Sequence, residues 1–251
     1  MITTALSARR ECCTSVRPTH ARTVMVGPLS AIAIAIAAYG GYRIYGFIHA
    51  MQAYKENTKA AWVAAPPRFL QLRRGEAPDL RFFRINDEVM GGRSTSSIEI
   101  VEDSGWFAKS KALLFSGTIN TNGGGFCSCR TLGDDVTLGL QNGSALLVDA
   151  VGDGQLHKLV LHTSDSWTMS VPSWSRDFIA DKKRTTHKLP ISEFIPSSQG
   201  RVVKGVALDA SKVTGIGFSL SLYTADGKPN PQFGDGPFRL EVHGVKEVEH
   251  H

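Results

Sequence analysis

Asp87 and Glu88 are adjacent acids, and paired carboxylates are a common means of general acid–base catalysis. They lie in the string Phe83-Arg-Ile-Asn-Asp-Glu-Val-Met-Gly-Gly-Arg-Ser94. Adjacent side chains on an extended segment diverge, and no second acid pair completes a site. Asp87 is better suited to bonding turn amides near Gly91 and Gly92. Gly123-Gly-Gly125 invites a phosphate-loop reading, but no Lys-Ser/Thr follows and the dinucleotide spacing is missing. A sharp turn feeding a strand at Phe126 is the better account. No Gly-x-Ser-x-Gly elbow is present. His157 and His162 lie an odd number of positions apart in one predicted strand, so they face opposite sides and make poor joint metal ligands. Cys127 and Cys129 flank Ser128 on one strand face, an awkward geometry for a disulfide, and no further ligands have metal-site spacing. They read as small buried hydrophobes in a reducing compartment. Trp167 and Trp174, with Tyr223, could form a sugar-stacking platform for a glycan or nucleotide-sugar. Core and rim packing is the commoner use of such rings. No catalytic residue, cofactor or metal is expected.

The elements that hold these residues are short and alternating. Phe83 and Ile85 alternate with Arg84 as on a half-buried strand. A strand from Ser94 to Val101 can follow the Gly-Gly turn. Further runs cover Lys111 to Ile119, Gly125 to Arg130, Ser144 to Val151, Gln155 to Thr163, Trp167 to Ser173, Arg184 to Leu189, Val213 to Leu222 and Phe238 to Val245. Asn142-Gly143, Asp153-Gly154 and Asp226-Gly-Lys-Pro229 punctuate them. Many short strands with regular turn signals predict an all-β sandwich or barrel. No strong helical stretch separates the strands, which argues against a parallel βαβ sheet.

The ordered motifs resemble the complex I intermediate-associated protein 30 family. They are the Asp87 to Ser94 string, Phe115-Ser-Gly117, Asn122-Gly-Gly-Gly-Phe-Cys-Ser-Cys-Arg130, Gly152-Asp-Gly154, Pro190-Ile-Ser-Glu-Phe194 and Gly236-Pro-Phe-Arg-Leu240. Each is weak alone; the ordered set is specific and spans about Leu80 to Val248. The resemblance implies a jelly-roll sandwich related to galactose-binding-like domains. It carries Asp87, Gly91, Gly92, Asn122, Gly124, Phe126 and Arg130 over as structural motif positions. Gly92 is expected to need a positive φ.

The first quarter of the chain differs. Residues 1–22 are rich in Ser, Thr, Ala and Arg with Glu11 as their only acid, the composition of a mitochondrial targeting segment. Thr23 to Tyr42 carries no charge and is about long enough to cross a hydrocarbon core. Tyr39, Tyr42 and Tyr45 suit an aromatic belt at its end, and Gly40 and Gly41 a close contact with a neighbouring helix. A single membrane span is expected within residues 23–46. A helical stalk and basic linker are expected over 47–78, and the sandwich over 79–248. Basic residues flank the span on both sides, so charge does not set its orientation. The net charge of +5 is mild, and no basic stripe marks the folded part, so a nucleic-acid partner is not expected.

Two charged or proline-rich loops offer contacts: Phe178 and Ile179 within the run Arg176 to Arg184, and Phe233 within Asp226 to Gly236. The resemblance implies a non-catalytic role in building or stabilising respiratory complex I (NADH:ubiquinone oxidoreductase). It implies a chain held in the mitochondrial inner membrane, partners in the membrane arm and a folded domain on the matrix side. A transient assembly factor and a retained accessory subunit are both compatible with the sequence.

Overall fold

The computed structural model describes residues 62–103, 110–131, 136–163, 171–198 and 200–250. Its strands are β1 (Val63–Ala64), β2 (Leu70–Gln71), β3 (Arg81–Asn86), β4 (Thr95–Asp103), β5 (Ser110–Ile119), β6 (Phe126–Thr131) and β7 (Ser144–Gly152). They continue as β8 (Leu156–His162), β9 (Ser173–Ile179), β10 (Thr185–Pro190), β11 (Ile195–Ser198), β12 (Arg201–Val202), β13 (Gly215–Ser221) and β14 (Gly236–Glu249). One sheet runs β1-β3-β6-β13-β8-β9-β11-β12 and the other β10-β7-β14-β5-β4, with β2 added beside β14. The chain crosses between sheets repeatedly: β1 to β2, β2 to β3, β3 to β4, β5 to β6, β6 to β7, β7 to β8, β9 to β10, β10 to β11 and β13 to β14. This is the antiparallel sandwich with jelly-roll crossings that the alternating pattern predicts. The helical pieces among the described residues are short 3₁₀ turns at Asp87–Met90, Ile191–Glu193 and Ala210–Lys212.

Alternation decides what enters the core. Cys127 and Cys129 face inward on β6, as do Leu159 and Leu161 on β8 and Ile216, Phe218 and Leu220 on β13. They meet Leu113, Phe115, Leu146, Val148, Leu240 and Val242 from the facing sheet in one cluster. Phe69, Phe82 and Phe218 pack ring against ring, with Phe69 and Phe82 edge-on at 5.3 Å.

Three expectations are corrected here. Residues 62–72 are not helical: β1 pairs with β3, and β2 pairs in parallel with β14. Phe69 and Leu70 belong to the core, so the sandwich begins before Asp79. The basic segment is also tied down. The Arg73 amide donates to the buried Glu247 carboxylate at 3.0 Å, which also accepts from Ser144 Oγ at 2.7 Å. A bulge between Val242 and Gly244 re-aims β14, and the Val245 amide then reaches the Phe69 carbonyl at 2.7 Å. Of the expected strand Trp167 to Ser173 only residues 171–173 are described, and Ser173 opens β9. Trp167, the targeting-like segment, the expected span and its Gly40-Gly41 patch lie outside the described residues. Among the described residues no helix is long and apolar enough to cross a membrane.

Candidate functional site

β3 ends at Asn86, and the chain turns through the 3₁₀ turn Asp87–Met90 into Gly91. Gly91 adopts φ +90°, a conformation open chiefly to glycine. Gly92 is not at positive φ; the conformational demand falls one residue earlier than expected. Gly92 is required for a different reason: a β-carbon there would lie 2.5 Å from Oδ1 of Asp87. Gly124, at the start of the β6 loop, meets the same carboxylate from the other side. Glycines on two loops thus leave room for one buried acid.

That acid is fully employed. Asp87 Oδ1 accepts the Ser94 amide at 2.9 Å, and Oδ2 accepts the Ser94 hydroxyl at 2.6 Å. Ser94 Oγ in turn accepts the Asn120 amide at 3.0 Å. The Asp87 carbonyl accepts the Gly92 amide at 2.9 Å. Beside it, Ser96 Oγ donates to Asn86 Oδ1 at 2.6 Å, and Arg84 donates to the Ser96 carbonyl at 3.2 Å. β3 belongs to one sheet, and β4 and β5 to the other. The cluster therefore stitches the two sheets together at one corner. Glu88 is exposed.

The other motif positions separate. Asn122 is exposed at the loop tip, its amide donating to Asn120 Oδ1 at 2.9 Å. Phe126 and Arg130 stand on the outer face of β6, away from Cys127 and Cys129. They line a cleft of about 130 Å³ on the outer face of the eight-stranded sheet. Arg130, Lys158, His162, Ser175, Gly217 and Ser219 share that cleft. Arg130 lies opposite Gly217, and Ser219 opposite Lys158, which lies opposite Asp177. Burial lowers the Arg130 pKa to about 10 and pushes His162 down to about 3, with the Arg130 charge as a second cause. Lys158 is lowered by burial, and Asp177 and Asp226 partly offset this. Sequence reasoning named Arg130 for its motif alone. Alternation along β6 places it beside Ser128 on the outward face, but nothing in the sequence pairs it with Lys158.

The remaining positions fall as follows. Cys127 and Cys129 are buried free thiols, and burial raises both to about 12. His157 is buried on the core side of β8 and His162 on the outer side, as the odd spacing requires. Among the described residues no group of three His, Cys, Asp or Glu side chains could hold a metal. Trp174 belongs to the core, because it faces inward on β9, so it cannot serve a sugar platform with the exposed Tyr223. Phe178 is likewise a correction. β9 runs on through Ile179, and the period of two buries Phe178 against His187 (5.2 Å between ring centroids) while Ile179 remains 44% exposed. Phe233 is partly buried and packs against the core.

The chain resembles known proteins at three levels. An uncharacterised protein of Schizosaccharomyces pombe is 30% identical over 181 residues, covering 66% of this chain and 77% of that protein. Among solved structures, the family 11 carbohydrate-binding module of a Clostridium thermocellum cellulosomal cellulase is 16% identical, covers 75% of this chain and 98% of its own, and has a TM-score of 0.45. An exo-β-agarase is 13% identical, with 71% of this chain and 24% of its own covered and a TM-score of 0.43. The model of the family described as complex I intermediate-associated protein 30 matches residues 74–242, a span that contains the Asp87 corner, the cleft and most of both sheets. The chain belongs to the complex I intermediate-associated protein 30 family.

Proposed function

We propose that this chain binds and stabilises respiratory complex I without catalysing a reaction, as an accessory subunit retained in the complex or as an assembly factor. The observation that carries the reading is the family match across residues 74–242. The Asp87 corner is in keeping with it. A carboxylate whose two oxygens both accept hydrogen bonds from Ser94 is a fastening, and a fastened sandwich presents its loops and sheet faces rigidly to a partner. In this reading Thr23 to Tyr42 anchors the chain in the mitochondrial inner membrane, with the sandwich on the matrix side and Gly40 and Gly41 against a membrane-arm helix. Residues 1–22 direct it there. Confinement to one membrane raises the effective concentration of both partners. Ile179, exposed at the end of β9, is available as a contact.

Mild-detergent native electrophoresis of mitochondria, with immunodetection of this chain and an in-gel NADH dehydrogenase stain, tests the proposal. Travel with the mature active band marks a retained subunit. Detection only in lighter, inactive bands marks an assembly factor. Absence from both removes the complex I reading.

A further inference from the structure

The cleft on the outer face of the eight-stranded sheet holds a cation without a counter-charge. The half-buried Arg130 side chain makes no hydrogen bond or ion pair among the described residues, and the Cys129 thiol beside it stays protonated and carries no charge. Charges removed from water are normally paired. Lys158, two strands away, is only partly neutralised by Asp177, whose carboxylate also accepts the Ala225 amide at 2.9 Å. The surface between the two cations is cut back. Gly217 lies between their strands, and a β-carbon there would stand 2.8 Å from the Arg130 β-carbon. The hydroxyl of Ser219 sits directly across from Lys158, and that of Ser175 closes the far side. Adjacent strands are about 4.8 Å apart, so an arginine and a lysine two strands apart can both reach one small ligand over Gly217.

We propose that this cleft binds a phosphate monoester, with Arg130 and Lys158 on the phosphate oxygens and the hydroxyl of Ser175 completing the donor set, the Ser219 hydroxyl being given to the Cys127 carbonyl at 3.3 Å. A guanidinium fork, an ammonium and a hydroxyl donor together match a dianion with three terminal oxygens better than a carboxylate with two. The volume of about 130 Å³ admits a phosphate and a short ester arm, not a folded partner. A soluble metabolite and a lipid headgroup carry the same group.

The test uses the full chain in detergent, titrated calorimetrically with glycerol 3-phosphate and with acetate at constant ionic strength. Titration with short-chain phosphatidic acid, against short-chain phosphatidylcholine, in the same detergent forms a second arm. Saturable binding of glycerol 3-phosphate, or binding selective for the phosphatidic acid, supports the site and identifies its source. Arg130→Gln should weaken either by about tenfold to a hundredfold, the loss expected for a charge-assisted contact. Arg130 belongs to the family motif, so a second variant guards against misfolding. Ser219→Asp places a carboxylate between the two cations, and should abolish binding while leaving the thermal midpoint equal or higher. Acetate binding as tightly as the ester, no binding in either arm, or binding unchanged in both variants overturns the proposal.

Discussion

Gly124 and Asp87 are neighbours that exclude anything between them. A β-carbon on Gly124 would lie 2.9 Å from the Asp87 β-carbon and closer still to the carboxylate. They are remote in sequence and sit on the β3–β4 and β5–β6 loops, which both cross between the two sheets beside the paired strands β3 and β6. The fit joins the two glycine motifs of the sequence into one corner.

Gly124→Ala is therefore expected to cost about 3 kcal/mol, the upper range for forced overpacking. Gly91→Ala makes no steric contact within 4 Å and has only its φ of +90° against it, so it should cost about 1–2 kcal/mol. Urea unfolding followed by tryptophan fluorescence gives both values. Equal losses would mean that the Asp87 contact does not decide the glycine at 124.

Asp87→Ala strands the buried Ser94 amide and takes from the Ser94 hydroxyl its 2.6 Å acceptor, leaving it only the Asn120 carbonyl at 3.3 Å. A loss of about 3 kcal/mol is expected, since each orphaned buried donor costs about 1–3 kcal/mol. Asp87→Asn keeps an acceptor for the amide and should lose about half as much. The same unfolding curves decide. An Ala variant as stable as wild type would remove the stitching role.

Acid should weaken the fold before the carboxylates titrate. Burial lowers His157 to about 4, with Asp153 opposing, and His162 to about 3. Both are neutral in the folded state, whereas an unfolded histidine takes up a proton below about pH 6.5. Their contribution is complete above that value and is lost as pH falls from about 6.5 toward 4 and then 3. The slope is at most about 1.4 kcal/mol per pH unit for each histidine. Urea midpoints between pH 7 and pH 5 measure it, and His157→Leu should remove about half of it. A flat profile across that range would contradict the buried, neutral assignment.

Cys127 and Cys129 are closed to reagents in the native state. Both are buried, and burial raises both thiols to about 12, so neither the thiolate nor access to it is present. Labelling with a maleimide should spare them in buffer and modify both in denaturant, as read by mass spectrometry of the peptide that carries them. Rapid native labelling of that peptide would show that β6 opens.

Local pattern made most of the sandwich legible. On β3 the expected Phe83 and Ile85 are buried, although Phe82 is the side chain that enters the core cluster, and Asn142-Gly143 and Asp153-Gly154 turn where the pairs require, with Gly143 at φ +77° and Gly154 at φ +93°. Turn chemistry and the period of two act over a few residues, so they survive without tertiary context. Phe178 and Ile179 could not be told apart in this way. Both sit in a charged run, and only the register of β9 on β8 sends one inward.

The sequence by itself determined the all-β class, the order of the main strands, the family and the inward pairing of Cys127 with Cys129. Each follows from residue type and short-range periodicity. The tertiary structure alone decided that residues 62–72 join the sheets, that Asp87 meets Gly92 and Gly124 together, and that Arg130 shares a cleft with Lys158. These are contacts between segments distant along the chain, governed by sheet order and register. A two-residue strand such as β2 has no pattern of its own; it exists because β5 stops pairing with β14 at Val242 and leaves Val245 and Lys246 an open edge.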